Sequence, residues 1–357
     1  MMRHLPGSRP ERAARRLVGL LGLLVVGLAS AGQSGTRDGE RRTAEAAQEP
    51  VRFAVMAGLP AGNDQSPRMH QLQEAVEQAR LDFLIQLGPL QNRRTACSDS
   101  ALYAHKLALD TLPLPVVLVP DESLWAECPR VRGRAADPLE QLERVRQIFF
   151  AEETSLGQHH IELMRQSEQA RCRSYRENVR WTHGNVMFVA LHLAGNNNNF
   201  RPEAGRNREF EDRREANRQW LARAFFLARQ SRMTAVVIAT HADPEFGNKW
   251  EGKSGPNLLD GLVSQKKRDG YLEFKRQLRE LTVEFGGPVL LAHTVEDARM
   301  QQPVLDHPLR DRQGKTIRAL TRVAVPAGRL WTPISLRSDG GVALEGMTPM
   351  PAQRPRR

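Results

Sequence analysis

The sequence predicts an α/β fold of layered type, with mixed β-sheets flanked by helices. Short apolar runs alternate with longer amphipathic stretches along most of the chain, which is the pattern of strands separated by helices. The C-terminal part breaks that pattern with closely spaced strands, so an antiparallel portion is expected to close the fold. A chain of 357 residues with 40% hydrophobic content can bury one large core.

Val51 to Ala57 is the first apolar run, followed by helical periodicity around Met69 to Arg80. Phe83 to Leu87 and Val116 to Val119 read as the next strands; the second stops at Pro120, where the Asp121-Glu122-Ser123 stretch begins. A helix is expected from Pro138 to Phe150, a strand over Val186 to Leu193, and a long amphipathic helix from about Arg208 to Arg229. Ala235 to Thr240, a helix near Tyr271 to Glu284 and Val289 to Ala292 continue the alternation. Ile317 to Val325 and Leu330 to Leu336 read as strands joined by a Pro-Ala-Gly turn, with Val342 to Leu344 as a third. The expected organisation is one folded domain over 51–346, with a flexible lead-in over 32–50 and a disordered tail over 347–357.

The N-terminus carries Arg9, Arg12, Arg15 and Arg16 ahead of the apolar run Leu17 to Leu28, which ends in Ala29-Ser30-Ala31. That run is short of the roughly 20 residues a membrane span needs, so 1–31 reads as a cleaved secretory signal, with an uncleaved anchor as the alternative. The expected location is periplasmic or extracellular, and any membrane contact would be through this segment alone. It holds five Arg against one Glu, so its loss would lower the formal charge from +11 to +7. Arg and Glu alternate along the helices and there is no aromatic-basic interleaving, which argues against a nucleic-acid partner. Three cysteines, Cys97, Cys128 and Cys172, in an oxidising compartment predict one disulfide and one free thiol. None forms a C-x-x-C pair, so a structural zinc site is not expected.

In a layered α/β fold the working groups lie just beyond the C-terminal ends of the strands. Those exits carry Gly58, then Gly88-Pro89, then Asp121, Glu122 and Ser123, then the Gly195 to Asn199 stretch, then His241 and His293. The simpler reading of Asp121 and Glu122 is as exposed loop acids, with Glu122 a helix-entry charge. Asn196 and Asn197 lie in a run that reads as a turn, since Asn tolerates left-handed backbone, and with Asp121 and Glu122 they are pocket-rim candidates if the exits converge. Trp125, Trp181 and Trp220 read as packing residues.

In order along the chain stand "WAEC" at Trp125 to Cys128, "YRENVRW" at Tyr175 to Trp181, "AGNNNN" at Ala194 to Asn199, "EANRQWLARAF" at Glu215 to Phe225 and "LTRVAVP" near the C-terminus. With these motifs the chain resembles the secreted bacterial branch of the calcineurin-like metallophosphoesterases, from about Phe53 to Trp331. The resemblance implies a layered sandwich of mixed sheets and a pair of divalent metals about 3.5 to 4 Å apart that activate water against a phosphoester. It also implies a disulfide between Cys97 and Cys128, leaving Cys172 free.

At the metal positions the pattern fails. Gly58 and Pro89 stand where the resemblance implies Asp ligands, the second a bridging one, and Ser123 stands where it implies Asn. His241 and His293 match two His positions, and Asp297 aligns best with a third. Hard cations need anionic oxygens, and a bridging carboxylate is what holds two of them close. The expectation is therefore a protein without a cofactor, a degenerate non-catalytic relative that binds an unknown ligand or envelope partner. The alternative is a metal-dependent phosphoesterase with a rebuilt site for one weakly bound Mn, Zn or Fe ion, drawn from His241, His293, Asp297 and Ser123 with the acids Asp121 and Glu122 at converging strand ends.

Overall fold

The computed structural model describes residues 49–59, 67–90, 97–129, 136–201, 207–246, 269–297, 299–328 and 331–345. The expected signal segment 1–31, nearly all of the lead-in 32–50 and the tail 347–357 lie outside the described residues. In chain order the strands are β1 (Val51–Met56), β2 (Phe83–Gln86), β3 (Val116–Leu118), β4 (Met164–Arg165), β5 (Val179–His183), β6 (Val186–Leu191), β7 (Ala235–Thr240), β8 (Val289–Val295), β9 (Val304–Asp306), β10 (Leu320–Pro326), β11 (Trp331–Leu336) and β12 (Val342–Leu344). The helices are α1 (Pro67–Gln78), α2 (Asp99–Asp110), α3 (Pro138–Phe149), α4 (Arg208–Gln230) and α5 (Leu272–Phe285). Among the described residues no helix is long and apolar enough to cross a membrane.

The strands form two mixed sheets, in the orders β12-β11-β1-β2-β3 and β4-β5-β6-β7-β8-β10-β9. β1, β2 and β3 run parallel, as do β6, β7, β8 and β10. Antiparallel strands complete the edges: β11 and β12 on the first sheet, β5, β4 and β9 on the second.

Period-two side-chain alternation explains the layering. Val51, Phe53 and Val55 of β1 and Val186, Phe188 and Ala190 of β6 share one core between the sheets. There Phe53 stacks on Phe83 with centroids 5.6 Å apart and meets Phe188 edge-on at 5.4 Å. The opposite faces are also apolar: Ala54 and Met56 meet Met69, Leu72 and Val76 of α1, while Met187 and Val189 meet Trp220, Leu221 and Phe225 of α4. Helices thus cover both outer faces, giving an α/β/β/α sandwich. Strands buried on both faces read as unbroken apolar runs, which is why they were visible in the sequence.

The strands β4, β5 and β9, helix α2 and the path of the chain after β10 differ from expectation. α2 was not anticipated; Ser98 opens it, its side chain accepting from Ala101 N at 3.3 Å. The strands flanking the Pro326-Ala327-Gly328 turn do not form a hairpin. β10 pairs with β8 and β9 in one sheet, and β11 pairs with β1 and β12 in the other. The turn carries the chain from sheet to sheet, held by Ala327 N on Val295 O at 2.9 Å and by Gly328 N on Ala57 O. That crossing draws the exits of β1 and β8 toward one seam.

Candidate functional site

The exits of both sheets converge at that seam, and hydrogen bonds across it fix the arrangement. Gly195 N, beyond β6, donates to Glu122 Oε2 at 2.7 Å. His241, at the exit of β7, donates from Nδ1 to Leu87 O, beyond β2, at 2.5 Å. Its Nε2 lies 3.3 Å from Glu122 Oε2. Both imidazole nitrogens are therefore committed, one to a carbonyl and one to a carboxylate. Thr294 closes the group from β8, its hydroxyl donating to His241 O at 2.7 Å.

Asp121 and Glu122 are not exposed loop acids: they are 1% and 5% exposed. Pro120 ends the strand stretch, and Asp121 then caps the short 3-10 turn Glu122–Leu124, its Oδ1 accepting from Ser123 N at 2.8 Å and from the Ser123 hydroxyl. Oδ2 takes Leu90 N at 3.3 Å. Asp121 is thus spent on backbone and cap contacts, and Ser123, buried, is spent on Asp121. Burial pushes the Asp121 carboxyl up and the neighbouring Glu122 adds to that, against the pull of His241.

Burial opposes charge on Glu122 and His241 alike, but each offsets that penalty for the other. The imidazole beside Glu122 pulls its carboxyl down to about 2, and the carboxylate beside His241 lifts the imidazole to about 9. At neutral pH the two form a buried imidazolium–carboxylate pair.

Glycine makes the close approaches possible. A Cβ on Gly195 would stand 2.1 Å from Glu122 Oε1, and one on Gly88 would stand 2.5 Å from Asp121 Oδ2. Gly58 has φ +141°, and a Cβ there would lie 2.9 Å from Gly328 Cα, so no aspartate fits that position on this backbone. Pro89 follows a cis peptide bond and offers no side-chain donor or acceptor.

The remaining anticipated residues divide. His293 is fully buried, its Nδ1 donating to Thr294 O at 2.8 Å, with Nε2 3.8 Å from Asp243 Oδ1; burial pushes it down, so the ring is neutral. Asp297 is turned to Arg299, accepting from its backbone N at 2.9 Å and pairing with its guanidinium at 3.2 Å. Among the described residues the group able to gather around a cation is Glu122, His241 and Glu296, whose ligand atoms lie within 4.8 Å of one another. The alternation of Leu290, Ala292 and Thr294 carried two residues further reaches Glu296, not Asp297; that signal was present in the sequence and went unused.

Asn196 to Asn199 form a left-handed turn, with φ of 50°, 57°, 58° and 55°. Left-handed backbone costs a typical L-residue roughly 1 to 2 kcal/mol, and Asn tolerates it best after Gly. Arg213, fully buried on α4, holds the turn: it donates to Asn198 Oδ1 at 2.5 Å and Asn198 O at 3.0 Å, and pairs with Glu209 at 2.6 Å. Asn197 Oδ1 accepts from Gly270 N at 2.7 Å, and Asn196 bonds Glu127.

Behind this turn lies a second buried network, built by "YRENVRW" and "EANRQWL". Glu177 takes a two-pronged contact from Arg146 at 2.9 and 2.6 Å and faces His192 Nδ1 at 3.2 Å. Asn178 accepts from His192 N and donates to Gln166 and Asn217, each at 2.8 Å. Arg146 also lies 5.3 Å from the Tyr175 ring centroid. Burial opposes charge on Glu177, but Arg146 overrides it and holds the carboxyl down at about 2. These motif residues pin α3, β5, the β6 exit and α4 together. Cys97 and Cys128 are joined with an S–S distance of 2.05 Å, and Cys172 is free and buried.

The fold and site define a layered α/β sandwich with a buried, self-paired polar cluster at its strand exits. No family model and no curated protein matches the chain. Among solved structures, TT1561 of Thermus thermophilus is similar over 85% of this chain and 100% of its own, at 9% identity and a TM-score of 0.42, a likeness too weak to bear on function.

Proposed function

We propose that this chain is an exported, phosphoesterase-like protein that has given up metal-dependent hydrolysis and serves as a ligand- or partner-binding protein. The observation that carries the proposal is His241: Nδ1 is held by Leu87 O and Nε2 faces Glu122 at 3.3 Å, so its one remaining nitrogen is paired with a carboxylate. Gly58 and Pro89 add no ligand, and Gly58 has no room for one. A cation at His241 must displace its Nε2 proton, which the neighbouring Glu122 carboxylate holds in place, lifting the imidazole to about 9. The disulfide supports export, and the expected partner is an envelope component rather than nucleic acid.

Purified protein supplied with Mn, Zn or Fe should show no phosphatase or phosphodiesterase turnover. Turnover that disappears in His241→Asn would overturn the proposal. A second reading, a one-metal hydrolase, is favoured by Glu296, which brings a third ligand atom to Glu122 and His241. There the cation would take over the His241–Glu122 contact and activate water as a Lewis acid.

A further inference from the structure

Each sheet ends in an edge strand on one flank of the sandwich, β9 in the larger sheet and β12 in the smaller. Between them opens a cleft of about 580 Å³, bordered by Leu305 of β9, Val342 of β12 and the segments entering β8 and β10. The candidate site lies at the opposite ends of β8 and β10, on the order of 20 Å away along seven strand residues. The cleft is within the size range of small-molecule sites, roughly 300 to 1,000 Å³.

Its lining mixes polar and apolar surface in nearly equal parts, and its charge is unbalanced. Leu305 keeps 45% of its surface exposed, and Pro288 and Val342 share the lining with it. The one lining acid, Asp339, is taken by the Arg337 guanidinium at 3.2 and 3.0 Å and by Gly341 N at 2.7 Å. Asp306, next to the lining His307, is taken by Arg322 at 2.8 Å. Arg318 lines the cleft with no acidic partner among the described residues. His307 donates from Nδ1 to Leu320 O at 2.8 Å, leaving Nε2 as its remaining polar atom. The C-terminal end of α5 at Gly286 brings partial negative charge to the rim, which disfavours a ligand of high negative charge.

We propose that this cleft binds small organic monocarboxylates: the Arg318 fork takes the carboxylate, and an aromatic or aliphatic body lies over Leu305, Pro288 and Val342. The inference is independent of the reading of the strand-exit site. A body of this size with one charge-assisted contact should bind with a dissociation constant on the order of 1 mM.

The full chain is titrated with benzoate and with acetate by calorimetry, with amide hydrogen exchange locating the contact. Benzoate should bind saturably and more tightly than acetate, slowing exchange in segments 286–288, 318–321 and 337–342. Arg318→Gln, at an exposed position, should melt as the wild type does and bind benzoate at least about tenfold more weakly. Leu305→Ser should weaken benzoate while leaving acetate unchanged. Absence of saturable benzoate binding, protection located elsewhere, or equal affinity in Arg318→Gln would overturn the proposal.

Discussion

Glu122 and His241 face each other across the seam between the two sheets, Oε2 to Nε2 at 3.3 Å, with side chains only 6% and 3% exposed. One comes from the exit of β3 and the other from the exit of β7, so the pair joins sheets that otherwise meet through their apolar faces. Two buried ionisable groups are costly unless each supplies the other's counter-charge. Here each group of the pair supplies the other's counter-charge.

The pair gives stability a defined pH window. Glu122 titrates lower in the folded state, at about 2, than its ordinary 4.5, so its contribution is present above pH 4.5 and is lost as pH falls toward 2. His241 titrates higher, at about 9, than its ordinary 6.5, so its contribution is present below pH 6.5 and is lost as pH rises toward 9. Denaturant midpoints of the wild type minus those of the double variant Glu122→Gln/His241→Asn should plateau between 4.5 and 6.5 and fall on both sides. A difference independent of pH would show that the two groups are not paired.

Breaking the pair from one side should cost more than removing it whole. Glu122→Ala leaves a buried imidazolium without its partner and should lower unfolding free energy by about 3 to 5 kcal/mol. Adding His241→Asn to that variant should recover part of the loss, as equilibrium unfolding of the four species of the cycle would register.

Restoring the missing acid at Gly58 should not restore a metal site. Gly58→Asp places a Cβ 2.9 Å from Gly328 Cα at φ +141° and should destabilise by about 2 kcal/mol or more, without metal-dependent stabilisation. Thermal melting with and without manganese measures both.

The disulfide closes a separation of 31 residues around the segment that leads to Glu122. Chain-entropy reasoning gives it roughly 3 to 4 kcal/mol. Cys97→Ser/Cys128→Ser should lower the denaturant midpoint accordingly and speed amide exchange in the Glu122 turn. An unchanged midpoint would contradict that account.

The sandwich was legible because its strands are buried on both faces and read as continuous apolar runs. α2 was not, because Tyr103 and Leu107 sit on its exposed side at 58% and 53%, which blurs the apolar stripe that marks an amphipathic helix. The β10–β11 turn was legible as a turn but not as a crossing between sheets, since a Pro-Ala-Gly stretch looks the same in both. At the site, the resemblance picked out His241 and His293, but a sequence cannot show whether an imidazole nitrogen is free. Burial of Asp121 and Glu122 was hidden because acids after a strand are usually exposed. His192 and Arg146 were missed because they act through Glu177, far apart in sequence.

The most direct test of the central claim is the metal content and melting temperature of protein purified without chelator, before and after adding Mn, Zn or Fe. The account predicts negligible bound metal and an unchanged melting temperature, because His241 is already held at both nitrogens and a ligand that does not bind the native state cannot stabilise it. Stoichiometric metal, or a rise in melting temperature that Glu296→Gln removes, would contradict it.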